Sequence, residues 1–143
     1  MIDITLQNFE AEVIKASLQT PVLLDVWAEW CGPCKQLGPV LEQLETEYAG
    51  RFILAKLDAD KVPEIAGQLS QMLGTRSIPL CVMFVGGQPV DGFVGAQPAG
   101  TIRQFLDKHV PSEGALAAEE EVNEAEALLE AGDTDAALAK LAD

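Results

Sequence analysis

Pro21-Val22-Leu23-Leu24-Asp25-Val26-Trp27-Ala28-Glu29-Trp30-Cys31-Gly32-Pro33-Cys34-Lys35 is the stretch that decides how this chain folds. Val22 to Trp27 is a near-continuous apolar run, the pattern of a central strand covered on both faces. Beyond the cysteines, Leu37, Val40, Leu41, Leu44 and Tyr48 recur at helical intervals, so the C-x-x-C pair falls at a strand-to-helix junction. Pro39 lies inside that helix and is expected to kink it, because its ring removes a backbone donor.

The flanking segments complete an α/β pattern. Upstream, Phe9, Val13, Ala16 and Ser17 share one helical face, with Asn8 as the expected N-cap. Downstream, Phe52 to Leu57 reads as a second buried strand, and Pro63 to Leu73 as a helix ended by Gly74. Leu80 to Val85 and Pro89 to Val94 flank Gly86-Gly87, a β-hairpin signal. Pro98 to Val110 is the next helix, closed by Pro111. The order is helix, strand, helix, strand, helix, hairpin, helix, an α/β core whose last two strands are antiparallel.

A cysteine that opens a helix has unpaired backbone N–H groups and the positive end of the helix dipole beside its sulfur. Both favour the thiolate. Cys31 holds that place, which assigns it as the nucleophile. Cys34, one turn later, is placed to attack the mixed disulfide that follows. Pro33 fixes its own φ and restrains the loop between the sulfurs. The competing reading is half of a zinc site, but zinc takes four ligands. The chain offers beyond the pair only Cys81 and one histidine, His109, in the distant last helix. No metal and no cofactor is therefore expected.

Asp25 interrupts the apolar run six residues before Cys31. Buried there, its carboxyl would have a raised pKa and could exchange a proton with Cys34, with Lys56 of the neighbouring strand as counter-charge. The alternative is a strand edge where both side chains simply reach water. The pattern alone leaves the two open.

The totals set the frame. In 143 residues the chain holds one ordinary domain and a small appendage, and 48% of it is apolar. A net charge of −14 argues against nucleic-acid binding, which needs clustered Lys and Arg. The start, Met1-Ile2-Asp3-Ile4-Thr5, has neither the basic nor the apolar region of a signal peptide, and the apolar runs are too short for a membrane span. A cytoplasmic protein without membrane contact is expected. Charge is uneven: residues 1–112 hold 13 acids and 8 bases, and residues 113–143 hold 10 acids and 1 base.

The segment from Pro21 to Lys35 closely resembles the active-site segment of the thioredoxin family, and the resemblance spans roughly residues 1–110. It implies a thioredoxin fold, a central mixed sheet flanked by helices, over residues 1–111. It implies a protein-disulfide reductase with Cys31, Cys34, Asp25 and Lys56 in the chemistry, and it favours the buried reading of Asp25 and Lys56. Ile78-Pro79 matches the family's cis-proline loop, whose backbone pairs with substrate. Val94-Gly95-Ala96 matches the glycine bordering the substrate groove. Trp30, Ile78 and Gly95 would then form the apolar rim, with Gly32, Pro33 and Pro79 completing the substrate surface and Trp27 packed beneath. The implied partners are protein disulfides and a thioredoxin reductase or another thiol donor. Leu80, Cys81 and Ser77 depart from the family's usual residues, and Pro63 to Arg76 looks one helical turn longer. Cys81 reads as a buried core cysteine; a third redox centre would require it to be exposed.

After Pro111-Ser112-Glu113-Gly114 the pattern is purely helical, from Ala115 to Ala131 and, past Gly132-Asp133, from Thr134 to Ala142. Ala125, Leu128, Gly132, Ala137 and Leu141 have the spacing of a helical hairpin resembling a tetratricopeptide repeat. Residues 112–143 therefore read as a linker and the start of a repeat region. Because single repeats cannot bury their outer face, the chain is expected to be the front part of a longer protein. Together with Phe52-Ile53-Leu54-Ala55-Lys56-Leu57-Asp58 and Gly87-Gln88-Pro89-Val90-Asp91-Gly92-Phe93, this resembles the bacterial chaperedoxin type of thioredoxin–tetratricopeptide fusion. That resemblance implies a protein that binds unfolding clients and, keeping both cysteines, retains dithiol activity; the alternative is a holdase module that hands clients to the chaperonin, with the dithiol as accessory.

Overall fold

The computed structural model describes residues 2–111. They form a five-stranded sheet in the order β1-β3-β2-β4-β5. The strands are β1 (Ile2–Asp3), β2 (Val22–Trp27), β3 (Ile53–Asp58), β4 (Leu80–Val85) and β5 (Gln88–Val94). Three α-helices, α1 (Gly32–Glu47), α2 (Pro63–Leu73) and α3 (Ala99–His109), accompany them. The expected repeat-like hairpin lies outside the described residues.

The reading of Val22 to Trp27 holds: β2 is the middle strand, parallel to β3 and antiparallel to β4. Its alternate residues enter two cores, which is why the run is apolar throughout. Val22, Leu24 and Val26 join Ala55, Leu57, Leu69 and Phe84 on one face. Leu23 joins Leu37, Leu41, Leu44, Phe52, Met83 and Leu106 beneath α1 and α3 on the other. The β4–β5 hairpin turns through Gly86 and Gly87 with φ of 65° and 83°. Two consecutive positive φ values are the requirement of a type I′ turn, which glycine meets without strain. Pro89 is accommodated because β5 is an edge strand.

The first helical segment differs from expectation. It is a widened π-type turn, Glu10–Lys15, followed by a 3₁₀ turn, Ala16–Leu18. Asn8 is not the N-cap. Its side-chain Oδ1 accepts from the Thr5 backbone N–H at 2.7 Å, while Thr5 Oγ1 accepts from the Asn8 N–H at 3.2 Å. This reciprocal pair makes Thr5 the capping residue, with Asn8 filling the role usually taken by Glu or Gln. The two-residue strand β1 is also additional to the sequence reading; a pairing of Ile2 with Ala55 and Asp3 with Lys56 is too short to leave a periodic signal. Pro39 sits within α1, which continues unbroken from Gly32 to Glu47.

Candidate functional site

The dithiol is built by the junction of β2 and α1. The chain leaves the sheet at Trp27, and Cys31 is the N-cap of α1 with extended backbone, φ −90° and ψ 107°. Its Sγ accepts the backbone N–H of Cys34 at 3.2 Å. The sulfur thus does for this helix what a Ser or Asp oxygen does for others. An acceptor at a helix N-terminus gains most when it is negative, so the same contact favours a thiolate. Cys31 and Cys34 are joined as a disulfide with Cα atoms 5.3 Å apart. Both are almost fully buried, so exposure does not separate them; the cap position does.

Around the pair, Ala28, Trp27 and Ile78 form a small apolar cluster. The Ile78 carbonyl oxygen lies 3.8 Å from Cys31 Sγ. The Ile78-Pro79 peptide is cis, as the family resemblance implied. Gly95, with φ 88°, donates its N–H to the Pro79 carbonyl at 2.9 Å. The sequence-predicted residues Cys31, Cys34, Ile78, Pro79 and Gly95 are therefore linked by direct contacts. Gly32 and Pro33 form an exposed shelf beside them. Trp30 is 71% exposed and its indole N–H donates to Asp60 at 2.9 Å.

Asp25 is fully buried, the first of its two sequence readings. It pairs in register with Lys56 on β3 and with Cys81 on β4, so the three residues form one row across the sheet. Burial pushes the Asp25 carboxyl up to about 6, with Lys56 and the Cys81 hydrogen bond opposing that rise. Lys56 is only partly covered: its Nζ is 3.9 Å from Glu42 on α1 and 5.7 Å from the centre of the Trp27 ring. Sequence reasoning missed the residue that admits this ammonium. A Cβ on Gly38 would stand 3.1 Å from Lys56 Nζ, so the glycine one turn after Cys34 leaves room for the head group.

Cys81 is fully buried and unpaired, which excludes it as an exposed third redox centre in this conformation. It is more than core filling, because its thiol donates to Asp25 Oδ1 at 3.8 Å. Among the described residues no group of three or more His, Cys, Asp or Glu side chains is arranged to hold a metal ion. Nor is any helix among them long and apolar enough to cross a membrane.

Comparison with known proteins gives a consistent picture. The thioredoxin family model matches residues 1–108. A thioredoxin of Chlorobaculum thiosulfatiphilum is 46% identical over 104 residues, covering 73% of this chain and 91% of the relative. Thioredoxin 1 of a Nostoc species is 41% identical over 107 residues, covering 75% and 94% of the two chains. A thioredoxin of Staphylococcus aureus is 41% identical over 110 residues, covering 77% and 98%.

Proposed function

The chain belongs to the thioredoxin family and is a protein-disulfide oxidoreductase, and from that premise we propose how its residues divide the work. Cys31 is the nucleophile. Its thiolate attacks one sulfur of a protein disulfide, the substrate S–S bond breaks, and the other substrate sulfur leaves as a thiolate that takes a proton. Cys34 then attacks Cys31 Sγ, which releases the second substrate sulfur and closes the Cys31–Cys34 bond. Asp25 takes the Cys34 proton during that attack, with Lys56 balancing its charge. Two electrons pass to the substrate, and an external dithiol donor, a thioredoxin reductase or its equivalent, restores the pair.

The observation that carries this reading is the contact between Cys31 Sγ and the Cys34 N–H at the start of α1. Trp30, Gly32, Pro33, Ile78, Pro79 and Gly95 form the docking surface for the substrate chain, whose backbone pairs at the Ile78-Pro79 loop. Insulin-disulfide reduction tests it: Cys31→Ser should abolish turnover, and Cys34→Ser should halt at a mixed disulfide. Full activity in Cys31→Ser would remove the assignment.

A finer reading concerns the setting of this chemistry. The acidic, repeat-like sequence of residues 112–143 and the unusual Ser77, Leu80 and Cys81 support a cytoplasmic chaperedoxin. In it residues 1–111 form the redox domain, and the following helices begin a client-binding region that works with the chaperonin. The test is suppression of thermal aggregation by the Cys31→Ser/Cys34→Ser protein. Suppression without the cysteines supports a holdase; none, with insulin reduction intact in the wild type, leaves a dedicated reductase.

A further inference from the structure

Buried carboxylates ordinarily have their lone pairs satisfied, and those that do not are candidates for a moving proton. The Asp25 side chain has no exposure, and its Oδ2 has no hydrogen-bond partner among the described residues. Its other oxygen, Oδ1, is held by the Cys81 thiol. Cys81 lies directly across the β2–β4 ladder from Asp25 and is itself completely covered. The two oxygens of one carboxylate are thus made unequal by a neighbouring strand.

We propose that Cys81 is a positioning residue for the proton transfer at the dithiol: its S–H donates to Oδ1, fixes the carboxyl plane, and leaves Oδ2 as the oxygen that receives the proton. The proposal rests on the reading of Asp25 as the proton acceptor for Cys34.

The thiol is suited to this part because it does not ionise. Burial and the adjacent carboxylate both push the Cys81 pKa well above its ordinary value, so it remains a donor across the working range. A hydroxyl in its place would be a stronger donor and would hold the carboxylate in its charged form more firmly. A sulfur donor is weak, so it orients Asp25 while leaving it basic enough to accept a proton near neutrality. The other groups that face Asp25 are few. Lys56 from β3 supplies a cation, shared with Glu42 of α1. Cys34 of α1, whose proton Asp25 takes in the proposed reaction, is held here in the disulfide with Cys31. The neighbouring residues of α3 and β5 on this face, Ile102, Phe105 and Phe93, are apolar. Cys81 is therefore the neutral donor on which the orientation of the carboxyl depends.

The experiment is a carboxyl-carbon NMR titration of Asp25 in the oxidised full-length chain, for wild type, Cys81→Ala and Cys81→Ser, beside the pH–rate profile of insulin reduction. Loss of the donor in Cys81→Ala should raise the Asp25 midpoint by about half to one pH unit. The rate profile should move with it. Cys81→Ser, of nearly the same size, should bring the midpoint back to the wild-type value or below, and it carries the test alone if the alanine variant does not fold. A structural role would change the melting temperature of Cys81→Ala without moving the titration, so an unmoved midpoint overturns the proposal. Asp25→Asn separates the two layers. If it leaves the pH–rate profile unchanged, the proton-acceptor reading fails and the proposal with it, even where the titration shift reveals the hydrogen bond.

Discussion

At the residue scale, the ionisation of Asp25 has a cost that its chemistry must justify. Its folded pKa of about 6 stands above the ordinary 3.8 because burial penalises the charged form. The folded state therefore binds this proton more tightly than the unfolded chain, and stability falls as pH rises from about 4 to about 6. Above that window the loss is complete, and two pH units correspond to on the order of 3 kcal/mol. Asp25→Asn is expected to be more stable than wild type at pH 7.5 by up to about that amount, and equal to it near pH 3. Urea unfolding at the two pH values measures it. The position of Asp25 was legible as a polar break in an apolar run, but its burial was not. A strand pattern shows which side chains alternate, and only the neighbouring strands decide whether a given one meets water. For the same reason the sequence singled out Cys81 and still hid its partner, which lies 56 positions away and is adjacent only through the β2–β4 register.

At the scale of elements, α1 is held at both ends by different means. Its start is capped by sulfur, and its end is tied to α3. The Tyr48 hydroxyl donates to Asp107 at 2.8 Å, and Arg103 makes a forked pair with Glu47. Tyr48 is buried while the ion pair is largely exposed, so the hydroxyl is the more consequential of the two. Tyr48→Phe should cost about 1 kcal/mol of stability by thermal melting, with insulin reduction unchanged. In the middle of the helix, Gly38→Ala should push the Lys56 ammonium away by a few tenths of an ångström. Gained helix propensity of about 1 kcal/mol opposes the crowding of the new methyl against Pro39. Stability should hence change little, while the Asp25 midpoint rises as its cation recedes; the NMR titration reads this directly. Long elements with a strong period were legible: β2, β3, α1, α2, α3 and the hairpin all form where the pattern puts them. The irregular opening from Thr5 to Leu18 was not, because its cap is a Thr–Asn pair and its turns are wider and then tighter than an α-helix.

At the scale of the molecule, the described residues 2–111 contain both cores and every residue assigned to the redox site. A chain ending after Pro111 is expected to reduce insulin at the wild-type rate. If the chaperedoxin reading is right, the same truncation abolishes suppression of aggregation; a truncated chain that fails to reduce insulin would instead tie residues 112–143 to the redox domain.

The burial of β2 has one more consequence. Val22 to Val26 are completely covered, with hydrogen-bonded strands on both sides, and the reactive cysteine follows one short loop later. Local openings start at edges such as β1 and β5, where few bonds must break, so amide exchange should be slowest in β2. The dithiol is therefore anchored to the last part of the fold to open. Insulin turnover, which also needs Gly95 at the end of edge strand β5, should be lost before β2 opens, while the anchor of the dithiol itself persists to the global transition.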